Sequence, residues 1–129
     1  MKEFAAVFCA GGLGASLRLL LGRLVDAHFT AHYAASLPHA GTLAANLIGS
    51  FAIGLMSALL PDGVLRLAVI TGLLGGFTTY SAFALLTVDL ATSGRWGFLS
   101  AQLAAHIFGG VTCVLLGIAL ARMLGGGAA

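Results

Sequence analysis

Charged residues divide this sequence into long apolar stretches. Asp, Glu, Lys and Arg are absent from four long stretches: residues 4–17, 27–61, 67–88 and 96–121. A helix that spans the bilayer needs roughly 20 mainly apolar residues. The pattern therefore predicts an all-α integral membrane fold with four transmembrane helices, at about 4–24, 41–60, 64–92 and 96–122.

The composition supports this prediction, because 60% of the residues are hydrophobic and only 8% are charged. A soluble domain carries about 25% charged residues and uses them to cover its surface. No linker divides the chain, and both prolines, Pro38 and Pro61, lie just outside the predicted spans. We therefore expect a single four-helix membrane domain over residues 1–129, surrounded by lipid.

The polar residues argue against two broad classes of function. The formal net charge is only +2 and basic residues do not cluster, so nucleic acid is not an expected partner. The sequence shows no nucleophile paired with a base and no nucleotide-binding loop, so we do not expect an enzyme.

Arg18 is the charged residue that the first span has to accommodate. It can do so if it lies near a helix end, where its long side chain reaches the interface. Residues 25–40 form the longest interruption and are polar enough for an interfacial loop. His28 and His32 would share one face if this segment were helical, but a metal site needs three or four ligands and no third is evident. We therefore expect an interfacial surface there.

The positive charges give no preferred orientation in the membrane. Four spans place Lys2, Arg66 and Arg122 on one side, and they place Arg18, Arg23 and Arg95 on the other. Positive residues normally mark the cytoplasmic side. Two interpretations stay open: a subtler feature sets the orientation, or the chain inserts both ways and two copies pair antiparallel about an axis in the membrane plane.

Small residues recur at helical spacing in every predicted span. The pairs are Gly11 and Ala15, Ala45 and Gly49, Gly72 and Gly76, and Cys113 and Gly117. Because this spacing lets helix backbones approach closely in lipid, it predicts a tight bundle.

The stretch GGFTTYSAF, residues 75–83, interrupts the third span with poor helix formers. Gly75 and Gly76 each weaken a helix by about 1 kcal/mol. The hydroxyls of Thr78 and Thr79 compete for backbone hydrogen bonds. We predict a break near the midplane, which either forms an ion site from freed carbonyls and amides or is a simple kink in which the threonines bond back to their own helix.

Polar and aromatic side chains near this stretch are candidates for an ion path. Tyr80 and Phe83 are three apart and share a helix face, and aromatic edges carry partial positive charge. Asn46 in the second span either clasps another helix or presents an amide N–H to a pore. In the fourth span His106 shares a face with Gln102 and could titrate, ligate haem or hydrogen-bond across helices.

Three motifs together resemble the Fluc/CrcB family of fluoride channels: GGLGASLR (11–18), GTLAANLIGSFAIG (41–54) and GLLGGFTTYSAF (72–83). The resemblance implies a fluoride-selective channel that passively exports cytoplasmic fluoride and confers resistance to it. It also implies a multi-pass protein of the cell inner membrane or plasma membrane. The assembly implied is an antiparallel, dual-topology homodimer with two pores and a structural sodium ion at its centre.

The resemblance also carries roles over to particular residues. It implies a fluoride pore lined by Asn46, Tyr80, Ser81 and Phe83. It implies that the backbone carbonyls of Gly75 and Thr78, from both subunits, hold the sodium ion. Arg18 corresponds to the arginine of the family's first helix and is expected to be structural.

Three positions depart from the family pattern. This chain has Tyr80 where most members carry phenylalanine, Leu86 where many carry glutamate, and Gln102 where some use tyrosine. These departures keep open a pseudo-subunit with an impaired pore, paired with a different family member.

Two other classes of function also stay open. A small dual-topology antiporter would need a membrane-embedded carboxylate, whereas Glu3 and Asp89 lie near the interfaces. A membrane anchor or haem-binding subunit would use His106.

Overall fold

The computed structural model describes residues 1–32 and 40–125, without the side chains of residues 29–32. Within these ranges the chain is helical and has no strand. Helix α1 is Lys2–His32 and helix α2 is Ala40–Leu59. The third span consists of α3, residues 64–77, and α4, Tyr80–Thr92. The fourth span is the single helix α5, Trp96–Leu124.

Four helical segments are long and apolar enough to cross a membrane: Lys2–His28, Ala40–Leu59, Val64–Thr92 and Trp96–Leu124. This confirms the number and order of the predicted spans. Two parts of these spans are π-helical, Leu67–Leu74 within α3 and Ala105–Gly109 within α5. Such wider turns are rare and often occur at functional sites.

The first helix is longer than predicted. It continues to His32, so the expected interfacial loop is wrong for residues 25–32, while residues 33–39 lie outside the described part of the chain. No proline interrupts this stretch, and a helix can therefore continue past Arg23 and Asp26. Arg18 consequently lies well inside the helix, and the expectation that it sits near a helix end is wrong.

Asp26 uses this extension to join α1 to α2. One carboxylate oxygen of Asp26 accepts a hydrogen bond from the backbone N–H of Gly41, at 3.0 Å. This N–H belongs to the first turn of α2, where the helix has unpaired donors and favours negative charge. Asp26 therefore stabilises the start of the second span.

Glycines bring the helix backbones into direct contact, as the small-residue spacing predicts. A Cβ atom placed on Gly76 would meet the carbonyl oxygen of Gly11, and one on Gly72 would lie 2.8 Å from the Cβ of Ala10. These contacts join α3 to α1. In the same way a Cβ on Gly54 or Gly117 would meet backbone of the opposite helix in the α2–α5 pair. Each position therefore requires a residue without a side chain.

The single chain buries little of its apolar surface. Its small core cluster joins α4 to α5 and consists of Leu86, Leu90 and Leu99. Large hydrophobic side chains such as Phe8 and Phe108 are 82% and 73% exposed. Soluble monomers do not expose apolar surface on this scale, so this surface faces lipid or another subunit.

Arg66 fixes the turn between the second and third spans. Its Nη1 donates to the carbonyl oxygens of Ser57, at 2.8 Å, and Leu60. These carbonyls lie at the end of α2, where helical carbonyls lack donors. The ion pair of Arg66 with the exposed Asp62, at 3.5 Å, adds little because water screens it.

Candidate functional site

The third span is interrupted by two residues in extended conformation. Helix α3 ends at Phe77 and α4 begins at Tyr80. Between them Thr78 has φ −85° and ψ 160°, and Thr79 has φ −150° and ψ 111°. The predicted break is therefore confirmed, and it is a true interruption of the helix.

The break falls on the threonines and leaves the glycine pair helical. Gly75 and Gly76 belong to the last helical turn, Gly75–Phe77. Gly76 is needed there for contact with α1, as described above. Low helix propensity thus predicted the correct region for the break. The hydroxyl groups of the threonines, which hydrogen-bond to the backbone, determine its position within that region.

Both threonine side chains bind to the helix ends that the break creates. The hydroxyl of Thr78 donates to the carbonyl oxygen of Leu74, at 3.0 Å. The hydroxyl oxygen of Thr79 accepts from the N–H of Ala82, at 3.2 Å, and so caps the N-terminus of α4. An N-cap of this kind contributes about 1 kcal/mol.

Asn46 of α2 binds both backbone groups of Thr79. Its Oδ1 accepts from the Thr79 N–H at 2.8 Å, and its Nδ2 donates to the Thr79 carbonyl at 3.1 Å. The side-chain amide thus pairs with an extended residue as a neighbouring strand would. Of the two predicted roles for Asn46, the clasp is present. One N–H of the amide is left over from this pairing, because Nδ2 has two hydrogens.

The break takes the helical donors from the carbonyl groups of residues 75–78, and Gly75 and Thr78 are the first and last of these. In a continuous helix the N–H of Thr79 would donate to Gly75 and the N–H of Ala82 would donate to Thr78. These donors bind the side chains of Asn46 and Thr79 instead. The carbonyls of Gly75 and Thr78 are therefore free of helical partners, and backbone oxygens are suitable ligands for a hard cation.

Among the described residues, side-chain ligands offer no alternative cation site. In the described ranges, no group of three or more His, Cys, Asp or Glu residues could hold a metal ion. The released carbonyls are chemically suited to bind sodium. Gly75 is exposed on the surface of the single chain.

The two predicted aromatic residues contact each other just after the break. The ring centroids of Tyr80 and Phe83 are 5.7 Å apart, with the rings tilted by 53°. Tyr80 is 80% exposed in the single chain. Ser81 is also exposed, and its hydroxyl lies 3.2 Å from that of Thr79. Their place in a fluoride pore stays a prediction.

Gln102 of α5 hydrogen-bonds to α4. Its Nε2 lies 3.3 Å from the carbonyl oxygen of Phe83 and 3.1 Å from the hydroxyl of Thr87. Thr87 was not among the predicted site residues. A signal was available, because a glutamine inside an apolar span has to find hydrogen-bond partners in a neighbouring helix.

Leu86, where the resemblance to the family leads us to expect glutamate, is part of the core. It is 6% exposed and packs with Leu90 and Leu99. An ionised carboxylate could not occupy this apolar contact without a large cost. Leu86 therefore supplies packing between α4 and α5.

A cavity of about 440 Å³ leads to the break from one end of the bundle. Its lining includes Arg18, Arg23 and Asp26 of α1, Thr42 of α2, and Thr79 at the break. The Nε of Arg18 is buried and has no hydrogen-bond partner in the described part of the chain. Arg18 therefore places a positive charge beside the cavity and close to the broken span.

These features define a multi-pass membrane protein whose third span carries a hydrogen-bonded break. The sequence profile of the family described as CrcB-like protein, Camphor Resistance (CrcB), matches residues 5–118. The chain therefore belongs to this family, and the resemblance drawn from the three motifs is confirmed.

Full-length relatives agree with this assignment. The fluoride-specific ion channel FluC of Allorhizobium ampelinum is 41% identical over 96% of this chain and 99% of its own length. The FluC protein of Burkholderia vietnamiensis is 38% identical over 90% of each chain. That of Chloroflexus aurantiacus is 33% identical over 98% of this chain and all of its own length.

Replacement of Asn46 by alanine should destabilise the protein by about 1–3 kcal/mol, because it leaves the N–H of Thr79 unpaired inside the bundle and removes one hydrogen bond to its carbonyl. Thermal unfolding in detergent, followed by the fluorescence of Trp96, measures the effect. Ser50→Ala, one turn further along α2, serves as the control and should unfold with the parent. Equal stability of Asn46→Ala and the control would contradict the role given to the clasp.

Proposed function

We propose that this chain is a fluoride-selective ion channel that exports cytoplasmic fluoride passively and protects the cell from it. The observation that carries the proposal is the Asn46-bound break of the third span, in a chain whose full-length relatives are named fluoride-specific ion channels. These relatives are channels by name and not enzymes, in agreement with the prediction. The energy comes from the ion gradient and from a membrane potential that is negative inside.

Selectivity for fluoride requires donors that replace its water shell and still release the ion. The cavity brings an anion toward Arg18, whose Nε has no other partner. Beyond it lie the remaining N–H of Asn46 and the hydroxyl of Ser81. The ring edges of Tyr80 and Phe83 continue this series with partial positive charge, which attracts an anion without trapping it.

The working unit is an antiparallel homodimer in the plasma membrane, the inner membrane in cells that have two. The single chain leaves Tyr80, Ser81 and Gly75 exposed next to the break. An inverted second copy would cover these positions and complete two paths for the ion. The balanced positive charges of the two faces are compatible with insertion in both directions.

A sodium ion at the centre of this dimer would bind the carbonyls of Gly75 and Thr78 from both copies. Such an ion compensates the helix ends that converge on the breaks, where partial negative charge collects. It serves a structural purpose and does not travel with fluoride.

A heterodimer with an impaired pore is the second candidate, and Leu86 favours it. Leu86 packs in the core with Leu90 and Leu99 and so offers no polar group to an ion. The two candidates differ in whether the chain transports fluoride when it is purified alone.

Proteoliposomes that contain only this chain should release fluoride, measured with a fluoride-selective electrode. We expect Asn46→Asp and Phe83→Ile to lower the rate by at least about tenfold, equivalent to ~1.4 kcal/mol in the barrier. The first change removes an N–H donor and the second removes an aromatic edge.

Thr92→Ala is the matched control for these two variants. Thr92 lies at the exposed end of α4 and binds only carbonyls of its own helix, so this variant should transport at the parent rate. Release equal to that of empty vesicles would reject the homodimeric channel. Release by the parent with unchanged rates in both variants would reject the site residues alone.

Sodium should raise the melting temperature of the purified dimer relative to an equal concentration of N-methylglucamine. A ligand present at 100 times its dissociation constant stabilises the native state by about 2.7 kcal/mol. Size-exclusion chromatography after heating measures the surviving dimer. Potassium is the comparison for ion size, and identical melting in all three cations would argue against a bound sodium ion.

Dual topology should make half of the molecules accessible from outside the cell. Asp62→Cys, in a background with Cys9→Ala and Cys113→Ala, places a single thiol in the exposed turn before α3. A membrane-impermeant maleimide should then label about half of the protein in intact cells. Labelling of all molecules or none, with full labelling after lysis, would show a single orientation.

A further inference from the structure

His106 lies beside the aromatic pair, at a position for which the mechanism above has no use. It belongs to the π-helical turn Ala105–Gly109 of α5. Its ring contacts Phe83, with centroids 4.5 Å apart and planes tilted by 37°. Phe83 in turn contacts Tyr80, so the three rings form a continuous row from the break to the fourth span.

The hydrogen bonds of His106 define its tautomer when the ring is neutral. Its Nδ1 lies 3.0 Å from the carbonyl oxygen of Gln102. A carbonyl oxygen can only accept, so Nδ1 carries the hydrogen. The lone pair of the neutral ring is therefore on Nε2. This atom is buried and has no hydrogen-bond partner in the described residues.

A second unused acceptor lies on the preceding turn of the same helix. The Oε1 of Gln102 is also buried without a partner in the part of the chain described. With neutral His106, both unused groups repel an anion. Protonation of Nε2 turns one of them into a charged N–H donor, the type of group that binds anions most strongly.

The elements packed against this turn carry few titratable or charged residues in the described part of the chain. Helix α2, which packs against this turn, contains no titratable side chain. Helix α4 brings Tyr80 and Asp89, and α5 itself brings Cys113, with Arg95 before its start and Arg122 in its last turn. In the described ranges none of these five residues forms a hydrogen bond or ion pair with His106.

We infer that His106 is a proton-dependent anion donor on the fluoride path, and that protonation of its Nε2 raises fluoride conduction. The inference rests on the proposed function and assigns a rate-setting residue to it. At low pH a hydronium ion gives its proton to Nε2, so that an N–H bond forms, an O–H bond breaks and water is left. At higher pH the proton returns to water.

Fluoride release from proteoliposomes at several pH values tests the inference. The protein-dependent rate should increase about threefold or more as the pH is lowered, because protonation adds a charged N–H donor to His106. Vesicles without protein give the leak of neutral HF, which is subtracted at each pH. His106→Gln carries an amide that does not titrate, and its rate should be independent of pH.

Two further variants separate this role from a purely structural one. His106→Asn keeps an N–H for the Gln102 carbonyl and should also abolish the pH dependence, so the test does not rely on one substitution. His28→Gln removes an exposed histidine of α1 and should keep the pH profile of the parent.

Failure of the inference differs from failure of the proposed function. A parent rate that does not vary with pH would overturn the inference and leave the channel intact. The same holds if either His106 variant retains the pH profile of the parent. Absence of release at every pH would overturn the proposed function and the inference with it.

Discussion

The structure depends on the rule that backbone polar groups inside a membrane have to be paired within the protein. A break in a membrane helix violates this rule unless neighbouring groups replace the lost bonds, and each unpaired group costs several kcal/mol. Here the amide of Asn46 binds both the N–H and the carbonyl of Thr79, and the hydroxyl of Thr79 binds the next free N–H. The N–H groups of Thr79 and Ala82 are thus paired inside the chain, whereas the carbonyls of Gly75 and Thr78 lose their helical donors. These carbonyls are the groups that the proposed sodium ion would bind.

Close packing makes this pairing possible. Asn46 reaches Thr79 because α2 lies directly against the break, where a Cβ atom on Gly49 would meet the methyl group of Thr78. On the other side, Gly76 rests on the backbone of Gly11. The glycines therefore determine how closely the helices approach, and the asparagine and threonines use this proximity for hydrogen bonding. Residues that hydrogen-bond and glycines that pack therefore lie next to each other on the same helix faces, since residues three or four apart are neighbours on a helix.

Much of the fold could be predicted from the sequence, because membrane spans are defined by long apolar blocks. The four spans, the break and the contact of Tyr80 with Phe83 followed from block length, helix propensity and helical spacing. The extension of α1 to His32 did not follow, because charged residues suggested a boundary where the helix in fact continues. The pairing of Asn46 with Thr79 joins residues 33 positions apart, and a list of spans does not show which polar groups meet. The same holds for Gln102 with Thr87 and for His106 with Phe83.

The released carbonyls also have a consequence for how the protein reaches its final state. Gly75 is exposed in one chain, and its carbonyl, which has lost its helical donor, would need a partner inside the membrane. A newly inserted copy would thus be less stable until it binds a second copy. Maturation would then follow second-order kinetics, with the yield at low expression limited by collisions within the bilayer and not by the folding of either copy.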